Sequence, residues 1–67
     1  MAFNYRIEPR PSNLGGGWKL RLIENGVEVG GAVFPPDEEL IENNSLLAEQ
    51  VAYDDALAEA SSWLASR

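Results

Sequence analysis

The chain has 67 residues, neither cysteine nor histidine, and a formal net charge of −6 at pH 7. A unit of that size hides only about 60% of its unfolded surface, so its core is thin and stands on packing alone or on packing shared with a partner. The composition excludes disulfides, thiol metal sites and the commonest general base and zinc ligand, and no apolar run is long enough to span a bilayer.

Phe3-Asn4-Tyr5-Arg6-Ile7-Glu8 alternates apolar and polar residues, which predicts a half-buried strand over about 2–8, with Phe3, Tyr5 and Ile7 inward. Pro9 and Pro11 end it, because neither can donate to a ladder. The connection to Gly17 is rich in proline and glycine and is expected to be mobile. Its Gly15-Gly16-Gly17 run leads into a strand rather than a helix, so it reads as a hairpin loop and not as a phosphate cradle.

Asn25-Gly26 is the strongest local signal. Both residues tolerate positive φ, so they close a two-residue type I′ hairpin between strands over about 17–24 and 27–34. The turn sets a register in which Leu22 faces Val29, Leu20 faces Gly31 and Trp18 faces Val33, gathering the large apolar residues on one face. Gly30-Gly31 offers a place for a bulge that would blunt the third strand. Pro35-Pro36 stops that strand, and residues 35–44 form an acidic connection with room for one helical turn.

From Ser45 onward there is no glycine or proline, and a helix is predicted over about 45–66 with Asn44 or Ser45 as N-cap. On a helical wheel Leu46, Tyr53, Leu57, Ala60 and Leu64 share a stripe flanked by Ala56 and Trp63, the expected partner of the apolar sheet face. The expected architecture over 1–67 is one α+β domain: a three-stranded antiparallel meander (β-β-β-α) with the C-terminal helix on one face.

Four places invite a functional reading. The uncovered sheet face should carry Asn4, Arg6, Glu8, Lys19, Arg21, Ile23, Glu28, Gly30 and Ala32, with Phe34 the one aromatic of matching parity. Arg6, Lys19 and Arg21 could hold an acidic peptide or a nucleic-acid backbone there, with Arg10 in the adjoining loop. The alternative is ordinary pairing with Glu8 and Glu28 on a solvated face. Asp54, Asp55 and Glu59 below Asp37, Glu38, Glu39 and Glu42 could surround a hard cation, but no calcium-loop spacing is present and a solvated acidic face is the simpler reading. Leu47 and Val51 lie off the apolar stripe. Either the helix starts late, near Ala52 or Tyr53, or they form an exposed patch for a dimer or partner contact. The open sheet edges are a further route to association.

Gly17-Trp18 opening a strand of the hairpin, followed by the helical Tyr53-Asp54-Asp55-Ala56-Leu57-Ala58-Glu59-Ala60, is similar to the HicB-type antitoxin domain. The hairpin and helix are equally like other small sheet-plus-helix proteins of bacteria and phages. The antitoxin resemblance implies a partial RNase-H-like unit that binds a small toxin protein. The family's proline-glycine-cysteine stretch after the third strand has no counterpart here, so no functional residue is carried over.

The expected role is a non-enzymatic protein-binding or regulatory module, self-associating or bound to a small partner. The alternative is nucleic-acid binding through Arg6, Lys19 and Arg21. No catalytic, metal or cofactor residue is expected, since the serines have no identifiable base. Met1-Ala2-Phe3-Asn4-Tyr5-Arg6 lacks the basic-then-apolar order of a secretory signal, so a cytoplasmic location is expected, and the Asn43-Asn44-Ser45 sequon reads as a loop.

Overall fold

A computed structural model describes residues 2–66. Strands β1 (Phe3–Pro9), β2 (Trp18–Glu24) and β3 (Val27–Phe34) form one antiparallel sheet in the order β1-β2-β3. A short helix α1 (Glu38–Asn43) then leads into the long helix α2 (Ser45–Ala65), which packs on one sheet face. The meander-plus-helix expectation holds.

Local chemistry explains the element ends. Asn25 and Gly26 take φ of 52° and 82°, as a type I′ turn requires. Asn25 also ties down the chain start, donating its N–H to the Ala2 carbonyl at 2.7 Å and accepting the Ala2 N–H on Oδ1 at 2.9 Å. The Asp37 carboxylate caps α1 by accepting from the N–H groups of Glu39 and Leu40. Asn44, in an extended conformation, ends α1 and caps α2 through its side-chain oxygen and the N–H of Leu47. So α2 starts at Ser45, and the late start near Ala52 or Tyr53 is ruled out.

The register departs from the expected one partway along the hairpin. Glu24 pairs with Val27 and Ile23 with Glu28, but Leu22 then pairs with Gly30, Leu20 with Ala32 and Trp18 with Phe34. Val29 is the extra residue of a β-bulge. Beyond it every residue of β3 changes face: Phe34 lies on the helix side beside Trp18, and Gly31 and Val33 replace Gly30 and Ala32 on the open face. The bulge sits at Val29, one residue before the glycine pair. Gly31 serves the close approach that follows, since a Cβ there would collide with the Leu20 carbonyl oxygen.

The core is smaller and differently centred than the wheel suggested. Ala48, Ala52, Ala56 and Ala60 are the buried stripe of α2, and Leu20 is the only large side chain fully enclosed among the described residues. Leu46, expected in the stripe, is 82% exposed. Four alanines at i, i+4 spacing let the helix axis approach the sheet closely, and the volume is supplied from below by β1 and β2. Two edge-to-face aromatic pairs pin the ends of the contact, Trp18 with Tyr53 at 5.0 Å and Phe3 with Trp63 at 5.8 Å.

The Pro9–Gly17 connection is laced with hydrogen bonds rather than loose. A 3-10 turn spans Ser12–Leu14, and the Arg10 guanidinium donates to the carbonyls of Leu14 and Gly16. Gly15, Gly16 and Gly17 all have positive φ. At Gly17 the need for glycine is doubled, because a Cβ would strike the Phe34 carbonyl, Pro35 and Pro36. Glu49 of α2 clamps this corner: its carboxylate accepts the Gly17 N–H at 3.2 Å and its carbonyl accepts the Trp18 indole N–H at 3.0 Å.

Candidate functional site

On the open face, Arg6 of β1 stands directly opposite Arg21 of β2. Like charges in that relation repel. The repulsion is relieved by Glu8 and Glu28, which grip Arg21 from either side, Glu8 at Nε and Glu28 at NH1 at 2.6 Å. This Glu8–Arg21–Glu28 bridge crosses all three strands. The Arg21 hydrogen bond, opposed by desolvation and helped by the charges of Arg21, Arg6 and Lys19, holds the Glu8 carboxyl below its ordinary value. The two carboxylates raise Arg21 in turn. Arg6 and Lys19 make no ion pair among the described residues. A shallow concavity of about 620 Å³ lies over this face between Asn4, Arg6, Glu8, Arg21 and Glu28.

The three cations thus share a face but are not equivalent. Arg21 is committed to two carboxylates, and Arg10 is committed to its own loop. Among the described residues, only Arg6 and Lys19 are left for an external anion. On the helical layer, no group of three or more acidic side chains among the described residues comes together in a way that could hold a metal ion.

The second candidate surface follows from how α2 sits on the sheet. Glu49 and Tyr53 lie beside Trp18 at the start of β2, and Trp63 lies by Phe3, which pairs with Glu24 at its end. So α2 runs in the same direction as β2. Glu24 and Val27 flank the two-residue turn as a hydrogen-bonded pair, which fixes the side of β2 on which β3 lies. For a right-handed helix so directed, Tyr53, Leu57 and Leu64 fall on the β1 side, and Leu47, Val51, Asp55 and Glu59 on the β3 side.

Burial agrees with this placement. The β1-side flank is half-buried, as are Phe3, Tyr5 and Ile7 beneath it, whereas every residue from Val27 to Val33 is exposed. The helix thus lies over β2 and meets both edge strands, yet the side chains of β3 stay exposed. Leu47 is 47% and Val51 37% exposed, and Val27, Val29 and Val33 are each at least half exposed. Both edge strands are open, but exposed large apolar side chains occur on β3 and not on β1.

Leu47 and Val51 thus form the exposed patch that was one of the two sequence alternatives. Val29 and Val33, expected inward, belong to the exposed side instead. The signal that could have shown this is the bulge, because one inserted residue moves Val33 to the other face. Glu49 gave no sequence signal, since nothing local distinguishes it from the other acids of α2. A smaller apolar notch of about 380 Å³ lies among Trp18, Leu46, Glu49, Gln50 and Tyr53.

No family model, curated protein or solved structure matches this chain. Among the described residues no helix is long and apolar enough to cross a membrane.

Proposed function

We propose that the chain is a non-enzymatic, cytoplasmic protein-binding or regulatory module that receives a partner along β3 and the adjoining flank of α2. The observation that carries this is the exposure of Val27, Val29 and Val33 along β3 and of Leu47 and Val51 on the neighbouring flank of α2, in a molecule with so thin a core. Exposed apolar side chains beside an open strand edge favour an extended segment that adds a strand and seats side chains against the helix. The HicB-type likeness would make that partner a small toxin protein. An enzymatic role finds little support, since neither histidine nor cysteine is present to supply a base or a nucleophile.

Nucleic-acid binding is the competing reading, favoured only by the unpaired Arg6 and Lys19. Two cations on a chain of net charge −6 make a weak electrostatic footprint. A displayed peptide library separates the two. The expected outcome is apolar, strand-forming peptides whose binding is lost in Leu47→Asp and kept in Arg6→Gln. The proposal is overturned if no such peptide emerges and a mixed-sequence oligonucleotide binds at low salt, more weakly in Arg6→Gln and Lys19→Gln.

A further inference from the structure

Resting on that protein-binding role, we infer that the occupant of the exposed β3 edge is a second copy of this chain, joined β3 to β3 in antiparallel, two-fold fashion. Three observations converge on it.

The first is the backbone. Since Glu24–Val27 is a hydrogen-bonded pair, alternation along β2 makes Leu22–Gly30, Leu20–Ala32 and Trp18–Phe34 bonded pairs as well. Gly31 and Val33 then direct their N–H and C=O groups away from the sheet. The bulge at Val29 and Pro35 delimit a regular run, Gly30–Phe34, whose centre is Ala32. A two-fold axis at Ala32 sets Gly31 of one copy against Val33 of the other, and both bring outward-facing groups. The edge is therefore complementary to itself, with no further shape required of the partner.

The second is side-chain chemistry. The β1 edge carries Asn4, Arg6, Glu8 and Pro9, the kinds of residue that discourage edge pairing. The β3 edge carries one charge in eight residues, Glu28, and Arg21 holds it on the open face. Antiparallel pairing turns two three-stranded sheets into one of six strands, with both α2 helices on the same face. Between the helices a trough opens, with Leu47 and Val51 of each copy along its walls and Asp55 and Glu59 further along.

The third is area. The chain exposes 4649 Å², against about 4,200 Å² expected of a compact monomer of its mass. Its radius of gyration is 12.9 Å, against about 11 Å by the usual scaling. A standard interface covers about 800 Å² per partner, which would absorb the surplus.

The α2 flank that borders the trough carries the acids Asp55 and Glu59, and each copy is net negative. Pairing therefore tightens as salt rises, opposite in sign to phosphate binding.

Sedimentation of the whole chain from micromolar to millimolar concentration tests this, with amide hydrogen exchange alongside. The expected mass rises from 7.3 kDa toward twice that value, and the Gly31 and Val33 amides gain protection with concentration. Val33→Pro removes an outward N–H without touching the β2 ladder and should weaken the dimer by at least about tenfold, a factor that Leu47→Asp should match. A constant 7.3 kDa mass with freely exchanging Gly31 and Val33 amides overturns the pairing. In that case library peptides that still depend on Leu47 would leave the protein-binding role standing. A dimer indifferent to both substitutions, with Gly31 and Val33 unprotected, overturns the β3 placement without reference to how either variant folds.

Discussion

Replacing Gly17 with alanine tests how the corner between loop, sheet and helix is built. Gly17 has φ of +80°, and an added Cβ would meet the Phe34 carbonyl, with Pro35 and Pro36 within 3 Å. The dihedral alone costs about 1–2 kcal/mol for a residue with a side chain. Forcing a methyl group against packed backbone adds about 1–3 kcal/mol. Displacing the loop also weakens the Gly17 N–H bond to Glu49, worth about 1 kcal/mol. The total, roughly 3–6 kcal/mol, is a large share of the stability of about 3–10 kcal/mol typical of a chain this long. Gly26→Ala is the matched control, since Gly26 has φ of +82° but a Cβ there meets nothing within 4 Å. Thermal unfolding followed by circular dichroism, at one fixed concentration, should show Gly26→Ala lowering Tm by roughly 5–15 °C and Gly17→Ala by at least about 10 °C more. Equal midpoints for the two variants would refute the steric account of the corner.

The alanine stripe makes a second contrast: Ala56→Leu should destabilise by about 1–3 kcal/mol by lifting α2 from the sheet. Ala58→Leu, on the exposed face, should stay within about 0.5 kcal/mol in urea titrations. Glu49→Ala removes the acceptor of the Gly17 N–H and should cost about 1–2 kcal/mol, while Glu59→Ala, exposed on the same helix, should cost almost nothing. Glu8 should titrate below the ordinary glutamate range. Its folded value lies below its unfolded one, so its stabilising contribution is whole above the unfolded value and is lost as pH falls through the folded value. Carboxyl NMR should show Arg21→Gln returning Glu8 toward ordinary behaviour; a Glu8 midpoint that does not move would contradict the bridge.

The hairpin could be read directly because Asn25-Gly26 is a local constraint with one good conformational solution. The helix start was legible through Asn44 for the same reason. The phase of β3 was harder to read, since a bulge is a choice among backbone geometries that alternating residues do not announce. Gly30-Gly31 marked the neighbourhood but not which residue leaves the ladder. The helix stripe was misplaced because a wheel weights large apolar residues, whereas α2 meets the sheet through its smallest ones. Leu46 fell in line with Tyr53 and Leu57 on the wheel, yet it is exposed on the first turn of α2. As for the candidate surfaces, the shared face of Arg6, Lys19 and Arg21 followed from strand parity alone. That Arg21 is spoken for by Glu8 and Glu28, and that the side chains of β3 stay exposed, depends on rotamers and on helix placement across the sheet.

The two layers of the fold also differ in sign. Residues 1–34 hold four basic and three acidic side chains, whereas residues 35–66 hold eight acidic and no basic ones. In Cα extent the molecule is only 12 Å thick along its shortest axis, so it is an electric dipole whose negative end is the helical side. Such a dipole turns before it touches: a basic surface would meet the helices first, and a polyanion the sheet. Two copies joined through β3 would keep their helices on one side, so the two moments add, and the pair would approach any charged surface in one preferred orientation.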